Sequence, residues 1–536
     1  MIFNIKEGRF IEKENVKKIQ YEDYDVYYNG LIFEKGGVKA GKESIDIIIG
    51  ECEKGKIQFQ NIYGIYYIII KNKKENEWIL SADNSNMTTL FFDDYYISDD
   101  FLEMVNRMKN PQMNNKIVCE YLSLLRGFYY ETFVKNIRMF QNLFYYKIKD
   151  GKIEELSKNV GYLGEKSSIE DITSFFADVA MSLNDLKIVS ALTGGYDSRM
   201  VVASLNDKIQ FDLFISGNNE DSDEIKISKL VAKKLNKKWK LIKPDMKNVN
   251  KTEVLEKNFL ASGGRSCYNT SGVYRINYFM DVLANEKYEV LLTGDAGDMY
   301  KDFWDKQDYP FYYKKHTNLK MFYSFRMEAN NNNVFLGDKL KTYYNKQKCD
   351  IIENMKKYKY SQAVKSYESF GYIVDWRKNV FASNINRNLI IYAPLQELEL
   401  IKYAFDQPIK KRYFNLLQRE VIAKNAPQIA EIITTNGTTA TLNKANIIKD
   451  IWYENVGQIK RIFRGIKRKI YEKEKTMAKV MIEDDSDLKE LEISREALKY
   501  CQNVGYINQK MRMQDIPVTL LYKIIYLYQL SQKINR

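Results

Sequence analysis

Two short stretches hold residue types that could do chemistry together. In the first, an apolar run at 188–192 meets Thr193, Gly194, Gly195, Tyr196, Asp197 and Ser198, and a helical pattern of Met200, Val201, Val202 and Leu205 follows at once. That order is strand, tight glycine turn, helix. Two adjacent glycines bring backbone N–H groups close to a ligand, and the positive end of the helix behind them favours an anion. Thr193 and Ser198 can donate hydroxyl hydrogen bonds, and Asp197 can hold a divalent cation against phosphate oxygens. The stretch reads as a cradle for a nucleotide pyrophosphate. The same residues also suit an ordinary strand-to-helix turn with Asp197 as N-cap.

In the second stretch an apolar strand pattern at 288–292 ends in Thr293, Gly294, Asp295, Ala296, Gly297 and Asp298. If Asp295 and Asp298 open a helix, their spacing puts both carboxylates on one face, at the carboxyl end of a sheet where open α/β folds bind ligands. One could then ligate a metal while the other positions or deprotonates a nucleophile. A polar loop with an N-cap is the plainer alternative.

Taken together, the two stretches resemble one family. Thr193 to Ser198 look like the Ser-Gly-Gly-x-Asp-Ser loop of the N-type ATP pyrophosphatases, and Thr293 to Asp298 resemble the second acidic segment of asparagine synthetases, a branch that includes β-lactam synthetases and lasso-peptide cyclases. The resemblance implies ATP and Mg2+. Asp197 and Asp298 would bind the metal, Thr193, Gly194, Gly195 and Ser198 the pyrophosphate, and Ala191, Thr293 and Gly294 the rest of the nucleotide. Asp295 would take the acidic place near the reaction centre. Two positions depart from the pattern, with Ala296 where a second glycine is usual and Met299 where a glutamate is usual.

With 536 residues the chain is too long for one ordinary core. Its net charge of +13 comes from scattered lysines rather than blocks, so no nucleic-acid partner is expected. Five widely spaced cysteines lack metal-ligand spacing, and a single histidine, His316, argues against a histidine zinc site or a Ser-His-Asp triad. No signal-peptide pattern follows Met1 and no apolar run has membrane-spanning length, which makes the cytoplasm the expected compartment.

Residues 1–160 read as a β-rich domain, with strands expected at 25–33, 44–49, 62–71, 77–82, 90–97 and 143–148 and a helix at 116–125. Their order resembles the glutaminase domain of asparagine synthetases, an Ntn-hydrolase-like sandwich. That family uses the thiol of a cysteine exposed after methionine removal, whereas this chain has Ile2, so the resemblance implies the glutaminase fold without glutamine hydrolysis.

Residues 165–445 read as alternating helices and strands, a doubly wound parallel sheet. A helix is expected at 169–183, a second strand at 209–216, and an acidic N-cap at 220–224 ahead of the next helix. By resemblance the end of that second strand flanks the adenine, which makes Ser216 and Gly217 nucleotide contacts. Arg265 is a candidate for a carboxylate or phosphate contact, or an exposed residue of a capping loop. Around Pro394 the chain resembles the family's Arg-x-Pro segment, with Tyr392 in the arginine's place and Glu397 in an aspartate's. The family's catalytic lysine has Lys444 as its nearest counterpart, at the wrong offset from Pro427.

Residues 446–536 read as a helical extension in which Ile451, Trp452, Val456, Ile459 and Phe463 recur at three- and four-residue spacing beside many cations. The ordinary reading is a core-facing stripe with a solvated charged face, and a contact with anionic lipid or an acidic partner is the alternative. The expectation for the whole is an amide-forming ligase that adenylates a small-molecule or peptide carboxylate and passes it to an amine, releasing AMP and pyrophosphate. A catalytically degenerate scaffold and a tRNA-modifying pyrophosphatase are the competing expectations.

Overall fold

The computed structural model describes residues 1–11, 16–124, 131–160, 169–245, 249–261, 263, 270–301, 319–323, 327, 334–357, 389–471 and 486–534. Arg265, Cys267, His316 and most of the tyrosine-rich stretch at 300–323 lie outside them.

The first part of the chain supplies β1 (Ile2–Asn4), β2 (Arg9–Ile11), β3 (Lys17–Gln20), β4 (Tyr24–Glu34), β5 (Ile62–Asn72) and β6 (Glu77–Ala82). It continues with β7 (Phe91–Phe92), β8 (Tyr96–Ser98), β9 (Arg138–Met139), β10 (Phe144–Lys149) and β11 (Lys152–Ser157). They form two antiparallel sheets, a five-stranded one ordered β2-β1-β8-β7-β9 and a six-stranded one ordered β11-β10-β6-β5-β4-β3. Aromatic side chains join them: Phe3 of β1 meets Trp78 of β6 edge-on at 5.0 Å, and Phe92 of β7 meets Tyr146 of β10 at 5.8 Å. On the helix side, Tyr63 of β5 meets Phe175 of the helix Ile169–Leu183 at 5.3 Å. With both its faces covered, β5 is buried from Ile62 to Ile70 without a break, which is why it reads as a continuous apolar run rather than an alternating one.

Most expected strands fall on observed ones, but the expected strand 90–97 is two strands, β7 and β8, paired antiparallel, and residues 44–49 are not strand. They lie in the helix Lys42–Glu53, whose buried residues Ser44, Ile45, Ile48 and Ile49 recur at helical spacing. Four-residue periodicity, settled by packing on the β4 side, overrides the β-propensity of four isoleucines.

The second half builds β12 (Ile188–Ala191), β13 (Asp212–Ser216), β14 (Trp239–Ile242), β15 (Val290–Leu292) and β16 (Ile390–Tyr392). All pair in parallel, in the order β14-β13-β12-β15-β16. From β12 the chain first builds outward on one side and then returns to build on the other, so the strand order reverses between β12 and β15. A crevice opens there at the carboxyl ends of the strands. The helix Asp223–Lys234 starts as expected, with Ser222 as N-cap accepting from the Ile225 amide and Asp223 and Glu224 in the first turn.

The carboxy-terminal helices Glu492–Asn503 and Val518–Ile534 close back on the β-rich half rather than on the parallel sheet. Tyr526 meets Tyr121 edge-on at 5.4 Å and Phe133 at 5.1 Å within a shared core. In the preceding helix, Lys444–Tyr471, three residues of the expected core-facing stripe, Trp452, Ile459 and Phe463, are exposed, as is Ile448, while Ile451 and Val456 are half-buried. Among its residues whose burial is described, the buried one is Asp450, paired with the fully buried Arg419 at 2.9 Å, so a charge rather than the apolar stripe seats the helix. Among the described residues no helix is long and apolar enough to cross a membrane.

Glu397 joins the two halves. It is buried, accepts from the Gly64 amide at 2.8 Å and the Ser85 hydroxyl at 2.8 Å in the β-rich half, and from the Tyr392 hydroxyl at 3.0 Å in β16. Burial pushes its carboxyl up to about 8 against the pull of those three donors. The folded state therefore holds a proton that the unfolded chain gives up near the ordinary value, and stability falls as pH rises from there to about 8. Urea midpoints of the wild type are expected to drop between pH 6 and pH 8.5, and those of Glu397→Gln to lose that slope; parallel pH profiles for the two proteins would contradict the assignment.

Candidate active site

Asp197 opens the helix Asp197–Leu205 directly behind β12. The turn before it is closed by Ser198, whose Oγ accepts from the Thr193 amide at 2.9 Å and lies 2.9 Å from the Thr193 hydroxyl. Gly194 is buried under the strap at 434–439. The Thr435 amide donates to the Gly194 carbonyl at 3.1 Å, and a Cβ on Gly194 would overlap the Thr435 methyl. Tyr196 fixes the same strap, donating to the Thr439 carbonyl at 2.6 Å beside the Thr438 hydroxyl at 2.8 Å. Behind the turn, buried Arg199 donates to the Ile432 carbonyl at 2.6 Å, and burial lowers its guanidinium pKa to about 10.

The second acidic stretch lies directly against this turn. A Cβ on Gly294 would stand 2.5 Å from the Ser198 nitrogen, and one on Gly297 would overlap the Asp197 carboxylate. Both glycines are thus required by close approach, and the approach sets the acidic residues at the cradle. Residues 295–298 do not open a helix with both carboxylates on one face, as the spacing suggested. Ala296 takes a left-handed φ of 66°, and only a 3-10 turn, Gly297–Tyr300, follows. Where the family pattern has glycine, this chain holds an alanine in the backbone region that favours glycine.

The turn delivers Asp298 to a point it shares with Asp197. The ammonium of Lys301 lies 3.1 Å from Asp197 Oδ2 and 2.8 Å from Asp298 Oδ1. Burial works to lower the Lys301 pKa, but the two carboxylates outweigh it and the net shift is upward. Buried Gln418 donates to Asp197 Oδ1 at 2.6 Å and to the Gly297 carbonyl at 3.3 Å, which fixes the carboxylate's second oxygen. Asp295 points elsewhere, into the cleft mouth, where it is reached by solvent yet ringed by protein. That crowding and the negative charge of Asp197 raise its carboxyl pKa against the lowering effect of the Thr293 hydroxyl, which donates at 2.8 Å.

A cleft of ≈ 350 Å³ runs from this acidic end between β12 and β15, lined by Ala191, Thr193, Asp197, Ser198, Thr293, Gly294 and Asp295. Leu291, Ile391, and Ile276 and Phe279 of the helix Thr270–Asn285 supply its apolar lining. The lining thus combines polar groups that suit phosphates with apolar side chains that suit a planar base.

Of the residues singled out from the sequence, seven line the cleft and Asp298 joins them through Lys301. Gly195 is half-buried in the turn. Ser216 and Gly217 end the neighbouring strand β13 without lining the cleft, and the Ser216 hydroxyl is buried without a partner. Lys444 is exposed at the start of the long helix and does not line the cleft either. The cation at the acidic pair is Lys301, which no motif marked, though its three-residue spacing from Asp298 was a charge-pairing signal. Gln418 had no local signal. In the first half, Ile2 is buried in β1 and carries no nucleophile, and burial pushes the thiols of Cys52 and Cys119 up to about 12.

The donor set fits a magnesium ion of limited protein ligation. Among the described residues no three His, Cys, Asp or Glu side chains converge, while two carboxylates do converge on one cation position. Mg2+ is usually held by one or two carboxylates plus substrate phosphates, which is the arrangement this pair could give. Such an ion would replace the Lys301 ammonium between them.

No protein-family model matches the sequence, and no curated protein matches it. The chain stands as a mixed α and β protein with two antiparallel sheets and a five-stranded parallel sheet whose switch-point cleft joins a glycine turn to an acidic turn.

Close packing at Gly294 gives a direct check. Gly294→Ala is expected to cost about 1–3 kcal/mol of unfolding free energy by overpacking. Gly50→Ala, within the helix Lys42–Glu53 and facing open space, is expected to gain up to about 1 kcal/mol. Urea midpoints measure both, and a neutral Gly294→Ala would contradict the close approach.

Proposed function

We propose that the protein is an ATP-dependent, AMP- and pyrophosphate-forming amide ligase of asparagine synthetase type, in which an Ntn-hydrolase-like domain without glutaminase activity precedes an ATP pyrophosphatase domain. The observation that carries this reading is the meeting of the two glycine turns, which brings Asp197 and Asp298 to one cation position beside the Thr193–Ser198 turn. The resemblance of both turns to the family's motifs supports it independently.

In this reading ATP is a substrate. Its β- and γ-phosphates would meet the turn at 194–198, where the helix end and the hydroxyls of Thr193 and Ser198 would stabilise negative charge, while the Thr193 amide stays bonded to Ser198. The apolar lining near Phe279 takes the base. A bound Mg2+, held by Asp197 and Asp298, would neutralise charge on the departing pyrophosphate. Gln418 keeps Asp197 oriented. The substrate carboxylate attacks the α-phosphorus, the bond to the β-phosphate oxygen breaks, and pyrophosphate leaves. An amine then attacks the acyl carbon, its proton passes to Asp295, and AMP departs. A carboxylate whose pKa is raised is a stronger base when ionised, which suits Asp295 to that role. The amine is supplied as a substrate, since the described first half offers no thiolate to release ammonia from glutamine.

The Lys301 bridge also supports a second reading, a synthetase-like scaffold whose own ammonium permanently fills the cation position. Purified protein supplied with Mg-ATP and pooled metabolite acids and amines is expected to release pyrophosphate, and Asp197→Ala to lose at least about a hundredfold of that rate. Silence from both proteins would favour the scaffold. Asp295→Asn is expected to keep acid-dependent pyrophosphate release while amide formation falls about 10²–10⁴-fold and loses its acidic limb in the pH profile. An equal loss of both steps would remove Asp295 from the proton-accepting role.

A further inference from the structure

The helix Lys444–Tyr471 is seated with its apolar side outward. At 3.6 residues per turn, Ile448, Trp452, Ile459 and Phe463 fall within an arc of roughly 60°, and Asp450 lies about 170° from its centre. Asp450 is 4% exposed, bound to Arg419 and accepting from the Thr439 amide at 3.2 Å, so that side faces the body of the protein. The opposite arc is 68% exposed at Ile448, 68% at Trp452, 43% at Ile459 and 67% at Phe463. Four large apolar side chains on one exposed line are a surface awaiting a partner rather than scattered exceptions.

Charge indicates the kind of partner. After Glu454 the helix contains Lys460, Arg461, Arg464, Lys467, Arg468 and Lys469 and no acidic residue. A line of isoleucine, tryptophan and phenylalanine on a helix rich in cations is the composition of a helix that lies in the plane of an anionic bilayer surface, with its apolar arc below the headgroups. A second copy would bring the same cations together, and the net charge of +13 attracts the whole chain toward negative surfaces. We propose that this helix docks the protein on an anionic lipid surface, with Trp452 and Phe463 entering the headgroup layer.

The test uses the full-length protein in flotation with vesicles of phosphatidylcholine alone and of phosphatidylcholine and phosphatidylglycerol in equal parts. Trp452→Ser/Phe463→Ser serves as the variant, because both side chains are exposed and their loss leaves the core intact; an unchanged thermal midpoint verifies this. The wild type is expected to float with the phosphatidylglycerol vesicles and not with phosphatidylcholine alone, to release in high salt, and to bind at least about tenfold more tightly than the variant. Equal binding by the variant, or no binding to either vesicle, would overturn the proposal. A concentration-dependent dimer abolished by the same substitutions, without vesicle binding, would assign the surface to a second copy instead.

Discussion

Everything at the cleft depends on how closely two backbone turns approach. Gly294 and Gly297 lie against the first residues of the helix Asp197–Leu205 with no room for a Cβ. A Cβ on either glycine would overlap those residues and force the turns apart, away from the one cation that the carboxylates of Asp197 and Asp298 share. Both turns follow β12 and β15, the two strands between which strand order reverses, so the fold's natural ligand crevice and the acidic pair coincide.

The contact is held from several sides. The strap at 434–439 covers Gly194 and is fixed by Tyr196, while Arg199 and Gln418 tie the cradle helix and Asp197 to the helices behind. Through β16 the acidic turn is also joined to the β-rich half: the Thr293 amide donates to the Tyr392 carbonyl at 3.0 Å, and the Tyr392 hydroxyl donates to buried Glu397. The β-rich half reaches that same carboxylate through Gly64 and Ser85. A polar chain thus runs from the interface to the cleft wall, where burial makes each unmade hydrogen bond costly. In the proposed ligase this link gives the first half a structural role that needs no glutaminase chemistry.

What the sequence revealed was local. Periodicity located the helix Ile169–Leu183 and strand β6 to the residue, and the glycine turns marked both sides of the cleft, because spacing and glycine content are set by short-range geometry. Residues 44–49 misled because four isoleucines favour a strand in isolation while the position of the buried face decides for a helix. Lys301 and Gln418 went unseen because their importance lies in reaching Asp197 across 104 and 221 residues of chain. The long carboxy-terminal helix is the clearest case. Its pattern reports an apolar stripe correctly, but which side meets the body is set by one buried ion pair, Arg419 with Asp450, that no periodicity contains.

The most direct test of the central claim is calorimetric titration of the protein with pyrophosphate, with and without Mg2+, on the wild type and Asp298→Asn. The account predicts binding that needs Mg2+ and weakens in the variant, because the ion is shared between the ligand and the two carboxylates that the glycine contact brings together. Binding that is indifferent to Mg2+ and to the substitution, or no binding at all, would contradict it.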